Sequence, residues 1–99
     1  ALLQETLKNE GFSVKAGVAG IPTAFIAEYG SGSPVIAFLG EFDALPGLSQ
    51  QAIPENKTNG KIAGHACGHH LLGTASTAAA ISVKNWLKSN SLLSYSTTF

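Results

Sequence analysis

Gly64-His65-Ala66-Cys67-Gly68-His69-His70 runs directly into a helical pattern that begins at Leu71, and its reading decides how the rest of the chain is arranged. These residues hold all three histidines and the one cysteine of the protein. Thiolate and imidazole are zinc donors, and imidazole also suits other first-row metals. Gly64 and Gly68 punctuate the run, so the backbone can turn tightly and aim several donors at one point. The stretch reads as a metal site, or half of one.

Downstream, Leu71 to Lys88 has the composition of a helix with a small first half: Gly73, Ala75, Ser76, Ala78, Ala79 and Ala80. Small side chains let a helix approach a sheet closely, while Ile81, Val83, Trp86 and Leu87 supply apolar bulk. Lys84 and Lys88 suit the negative pole of that helix, and the lysines in general read as solvated. The donor cluster then lies at the positive pole, where a thiolate is favoured, which supports Cys67 as a ligand. The remaining segment, Asn90 to Phe99, has the composition of a β-strand.

Upstream, Gly40 to His70 carries few secondary-structure signals, and an irregular stretch of that length is functional or disordered. Its middle, Gln50 to Lys61, is polar and reads as an exposed excursion. Its ends differ: Glu41 and Asp43 directly follow the apolar run Val35 to Leu39, and Gly64 to His70 directly precede the helix. Strand ends and helix starts are where α/β folds place ligands, so the loop is expected to bring the acids and the Cys/His cluster to one rim. Val35 to Leu39 reads as a strand buried on both faces, pairing as a hairpin with Thr23 to Tyr29 across the turn Gly30 to Pro34. Phe12 to Val18 is a further strand. Ala1 to Glu10 is a helix with Leu2, Leu3 and Leu7 on its apolar face and Gly11 as its stop.

Composition bounds the function. The chain has 99 residues, enough for one small domain. Six lysines balance Asp43 and five glutamates, and arginine is absent, so the chain lacks the basic footprint of a nucleic-acid or acidic-membrane binder. A single cysteine excludes an internal disulfide framework and fits a reducing, cytoplasmic setting. No apolar run approaches the ~20 residues needed to span a bilayer.

Two long motifs in order, Ile36 to Gln50 (Ile-Ala-Phe-Leu-Gly-Glu-Phe-Asp-Ala-Leu-Pro-Gly-Leu-Ser-Gln) and Gly64 to Ala75 (Gly-His-Ala-Cys-Gly-His-His-Leu-Leu-Gly-Thr-Ala), resemble the M20 metallopeptidases. The likeness narrows to the family's amidohydrolase branch and its p-aminobenzoyl-glutamate hydrolase group, and covers roughly residues 1 to 88. It implies an α/β fold, the N-terminal part of a zinc-peptidase-like catalytic domain with a mixed β-sheet flanked by helices. It also implies a hydrolase using two divalent metal ions, zinc or manganese, on amide bonds of N-acyl amino acids or small peptides. By the same resemblance, Cys67 and His69 are metal ligands and Asp43 orients a ligand. Glu41 stands where other members have a ligand histidine and this branch has an acid, and it is not assigned as a ligand. His70 replaces the more usual Asp or Asn.

Several family features have no counterpart here. The general-base glutamate of a Glu-Glu pair, two later histidine ligands and the smaller inserted domain that often dimerises do not occur, and residues 89–99 do not resemble the family's next strand. The chain is therefore expected to be an N-terminal fragment, inactive alone, whose intact form acts on small-molecule amides or peptides as a homodimer or with a second subunit. A non-catalytic remnant or interaction module is the alternative. A Cys-His nucleophilic hydrolase built on Cys67 is disfavoured, because adjacent residues on a tight turn rarely align as nucleophile and base. His65 reads as structural, and His70 as a supporting partner or a surface residue. An incomplete α/β sheet exposes apolar edges, so the isolated 99 residues are expected to associate or to be unstable. A sharp, monomeric, metal-independent melt in analytical ultracentrifugation and calorimetry would contradict this.

Overall fold

The computed structural model describes residues 1–90 and 96–98. Helix α1 (Leu2–Asn9) leads to β1 (Ser13–Ala16), β2 (Phe25–Gly30) and β3 (Val35–Ala37). The short strands β4 (Leu45–Pro46) and β5 (Ala63–Gly64) follow, then the long helix α2 (His69–Ser89) and β6 (Ser96–Thr98). This is an α/β architecture with a mixed sheet in the order β1-β2-β6-β3 and a separate β4-β5 pair.

α1 stops where the sequence places the stop. Gly11 has φ +87°, Phe12 N–H donates to the Leu7 carbonyl and Gly11 N–H to that of Lys8, both at 2.9 Å. This is the doubled bond of a glycine-terminated helix, with its apolar contact between the flanking residues. Leu7 and Phe12 are both buried, and they build the core with Ala27 and Ala80. Phe12 and Tyr29 meet with ring centroids 5.6 Å apart, tilted by 51°. Leu2, expected on the apolar face, is 75% exposed.

β1 and β2 form the antiparallel hairpin, with Val14 opposite Ala27. The expected hairpin between β2 and β3 does not form. β6 lies between them, antiparallel to β2 and parallel to β3, with Thr97 facing both Tyr29 and Ile36. Thus β3, α2 and β6 make a β-α-β crossover, the connection parallel neighbours require. The crossover strand, with β-branched Thr97 and Thr98, takes the edge of β2 that a hairpin would have used. The last segment does contribute a strand at Ser96–Thr98; Asn90 caps α2, and the segment's remaining positions lie outside the described residues.

β3 is consequently an edge strand. Val35 is 60% and Ile36 42% exposed, and Leu39, beyond the strand, is 89% exposed. The reading of Val35 to Leu39 as buried on both faces is corrected. A run of apolar residues shows hydrophobicity but not how many layers cover it.

Both helices lie over one sheet face. They contact each other, α1 also touches β1 and β2, and α2 touches β6. α2 buries Gly73, Thr77, Ala80, Lys84 and Leu87, a single stripe at alternating spacings of four and three. Trp86, expected to add core bulk, is 52% exposed. Lys84, expected to be solvated, is 4% exposed. Its ammonium donates to Glu10 Oε2 at 2.5 Å and to the Glu10 carbonyl at 3.2 Å. That carbonyl belongs to the residue that ends α1, so the cation neutralises a carboxylate and satisfies the negative end of a neighbouring helix. No helix among the described residues is long and apolar enough to cross a membrane.

The Glu10–Lys84 pair gives an asymmetric expectation. Glu10→Ala leaves a buried cation without its carboxylate and should destabilise by about 2 kcal/mol. Lys84→Met removes the buried charge with its desolvation penalty and should cost less than about 1 kcal/mol. Urea unfolding of the two variants decides it, and the reverse order would sink the argument.

Candidate metal centre

The site lies at the carboxyl end of β3, where the chain leaves the sheet. Two contacts hold that departing segment to α2. Ser76 Oγ donates to the Leu39 carbonyl at 2.7 Å. Gly73 is buried, and a Cβ there would stand 3.2 Å from the Glu41 carbonyl oxygen and 3.5 Å from Phe42 Cβ. The small first half of the helix thus lets the strand-end backbone lie directly on it. Gly73 and Ser76 make the expected close approach, at the strand-end backbone, while Ala75 and Ala78 of the same stretch are exposed.

The other half of the site is the start of α2. The helix begins at His69 rather than Leu71, because Gly68 (φ +75°) turns the chain in the left-handed region just before it. Gly68 N–H donates to the His65 carbonyl at 3.2 Å, closing the turn. Gly64, by contrast, is not a turn glycine: a Cβ there would overlap the Leu48 carbonyl oxygen, so it permits β5 to press on the chain beside it. The excursion between these ends is laced by its own side chains. Gln50 Nε2 donates to the Gln51 and Glu55 carbonyls (2.9 and 2.6 Å), its Oε1 accepts from Lys57 N–H (3.1 Å), and Ser49 and Thr58 share a 2.5 Å bond. Side-chain amides here replace the backbone ladder that the segment lacks.

These constraints bring Glu41, Asp43 and His69 together, as expected for the acids and the histidine. One donor atom from each lies within 4.8 Å of the others. His69 Nδ1 is 2.7 Å from Asp43 Oδ1, and His69 Nε2 is 3.1 Å from Glu41 Oε2. The imidazole is largely covered, its side chain 16% exposed, while the carboxylates are 68% and 64% exposed. An ionised carboxylate only accepts hydrogen bonds, so Nδ1 carries the hydrogen it gives to Asp43. Nε2 is left facing Glu41, where either a proton or a cation can join the two.

The arrangement suits a divalent ion on three counts. Ligand bonds of about 2.0–2.1 Å hold neighbouring ligand atoms roughly 3 Å apart, close to the 3.1 Å between Nε2 and Glu41 Oε2. Imidazole nitrogen with carboxylate oxygen is a donor set that zinc and manganese accept. A carboxylate on the far ring nitrogen is the usual partner of a metal-bound histidine, which is the position Asp43 takes. The residues fit.

Cys67 is exposed and stands outside the group of three. Glu41, which the sequence left unassigned, is the carboxylate nearest Nε2; its position two residues before Asp43 was visible, but its direction was not. His65 and His70 pack against each other, ring centroids 4.4 Å apart and tilted by 45°. A groove of about 640 Å³, lined in part by Leu48, Asn56, Asn59, Lys61 and His65, opens on the His65 side.

Gly73→Ala should push the Glu41 carbonyl away by a few tenths of an ångström, a cost set against the roughly 0.5–1 kcal/mol that alanine gains over glycine inside a helix. The 15N signals of the His69 ring should move with it. Unchanged His69 signals would show that the helix contact does not set the site.

No family model matches the chain. It is similar to a subunit of the p-aminobenzoyl-glutamate hydrolase of Escherichia coli (strain K12), 57% identical over 89 residues that make up 87% of this chain and 18% of that protein. It is also similar to the Xaa-Arg dipeptidases of Mus musculus, 38% identical over 77 residues (71% of this chain, 14% of that protein), and of Homo sapiens, 36% identical over 78 residues (69% and 14%). The chain thus spans less than a fifth of each of these relatives. Across the residues it shares with them, it belongs to the M20 family of metallopeptidases and amidohydrolases.

Proposed function

We propose that these residues form part of the catalytic domain of a metal-dependent amidohydrolase acting on N-acyl amino acids or small peptides, with p-aminobenzoyl-glutamate-like substrates in view. The observation that carries this reading is the meeting of His69 with Glu41 and Asp43 across the long loop. The relatives, a p-aminobenzoyl-glutamate hydrolase subunit and two Xaa-Arg dipeptidases, agree in bond type by their names.

In this reading His69 binds the divalent ion, zinc or manganese, through Nε2. Asp43 fixes the ring and its tautomer through Nδ1. Cys67, two residues before His69, is a further ligand, with two ions in the intact enzyme. Glu41 adds negative charge beside Nε2 and supports either ion. What a bound divalent cation supplies is polarisation of the scissile carbonyl and acidification of a water molecule. The proton of that water needs a base, and residues 1–99 contain no Glu-Glu pair to provide it. Hydrolysis is therefore assigned to the intact protein, in the cytoplasm, as a homodimer or beside a second subunit.

One observation favours the non-catalytic alternative. His69 already has a carboxylate at each ring nitrogen, and a protonated imidazole would satisfy both without a metal. Metal titration separates the readings. The full-length product of the native reading frame should lose hydrolysis of N-acyl amino acids on chelation and regain it with zinc or manganese. Asp43→Ala should weaken metal affinity about 10- to 100-fold, and His69→Ala should weaken it further. Full-length protein that binds no metal and cleaves no N-acyl amino acid would leave the ion-pair reading standing.

A further inference from the structure

The surface beside the carboxylates is aromatic. Phe25 and Phe42 stack with centroids 6.1 Å apart and planes 24° from parallel. One groove of about 350 Å³ is lined by Ile21, Ala24, Phe25 and Phe42 together with Glu41 and Asp43. A second, of about 270 Å³, uses the same two rings with Leu2, Leu3, His70 and Thr74. The topology explains this placement. β2 runs antiparallel to β6, and β6 runs parallel to β3, so Phe25 at the start of β2 stands at the sheet end where β3 delivers Glu41, Phe42 and Asp43. Phe42 is seated by the close approach of Gly73, yet it stays 37% exposed.

The chemistry of the groove selects its occupant. Glu41 and Asp43 stand at the metal end of the groove, and the rest of its lining, Ile21, Ala24, Phe25 and Phe42 among it, offers no cationic side chain, so the carboxylate end of an acyl amino acid finds no partner there. The ring pair favours a neutral, flat group, since aromatic faces gain from stacking beyond the area they bury. The groove's volume and its mix of apolar lining with a few convergent polar groups are those of a small-molecule subsite. Resting on the amide-hydrolase reading above, we infer that the Phe25–Phe42 pair is the platform for an aromatic acyl group, a specificity-determining surface directly beside the candidate metal centre.

The test uses the full-length product of the native reading frame with N-benzoyl-glutamate and N-acetyl-glutamate. Phe42→Leu keeps apolar bulk and removes the ring. The ratio of kcat/KM for the benzoyl over the acetyl amide should fall about tenfold, mainly through KM, as expected for the loss of one aromatic contact and part of its buried area. Saturation-transfer NMR should show the benzoyl ring protons in contact with the wild-type protein and released in the variant. Phe25→Leu gives the same readout if Phe42→Leu does not fold. Hydrolysis of both amides with an unchanged ratio would overturn the platform and leave the hydrolase reading intact. Ring-proton contact without hydrolysis of either amide would do the opposite. Absence of any preference for the benzoyl group in binding overturns the platform whatever the activity.

Discussion

The contact on which the rest depends is the seating of the strand-end backbone on the first half of α2. Gly73 brings the Glu41 carbonyl to the surface of the helix, and Ser76 ties down the Leu39 carbonyl one turn further along. A larger side chain at either position would hold the two segments apart. With them joined, residues 26 positions apart in sequence share a hydrogen bond of 2.7 Å. The donor group is therefore a product of helix–backbone packing as much as of the donors themselves.

The same economy runs through the core. A chain of this length buries few large side chains: Leu7, Phe12, Ala27, Ala80 and Leu87 are its buried apolar residues among those described. Small residues on α2 compensate by shortening distances, and Lys84 fills a core position by bringing its own counter-charge from Glu10. Such a pair adds little net stability against an apolar replacement, but it fixes how α1 ends against α2. The exposed faces of Leu39, Ile62, Leu71 and Trp86 show that apolar surface is distributed beyond that core.

The polar excursion has a different logic. Its strands β4 and β5 are two residues each, too short to hold a loop of this length. Gln50, Gln51 and Asn59 take over by hydrogen-bonding its main chain. The loop thereby returns the chain to Gly64 and the histidine cluster at a defined place. The exposed excursion read from the sequence is what the structure has, but its internal lacing was not legible, because side-chain amides give the same compositional signal whether they face water or the backbone.

Much of the arrangement was legible in the residues. The glycine stop of α1, the long helix with its small first half, the acids after an apolar strand and the histidines before the helix all carry local signals. Periodicity, turn chemistry and donor type are local properties. The order of strands was not legible: β6 displaces the β2–β3 hairpin, and that choice depends on which long-range pairing buries more surface. Nor was the exposure of Val35 and Ile36, the burial of Lys84, or the selection of Glu41 rather than Cys67 to join Asp43 beside His69. Sequence determined which donors this protein owns and roughly where they stand along the chain. Tertiary structure alone decided which of them meet, because direction and distance across the α2 contact are set by packing between segments far apart in sequence.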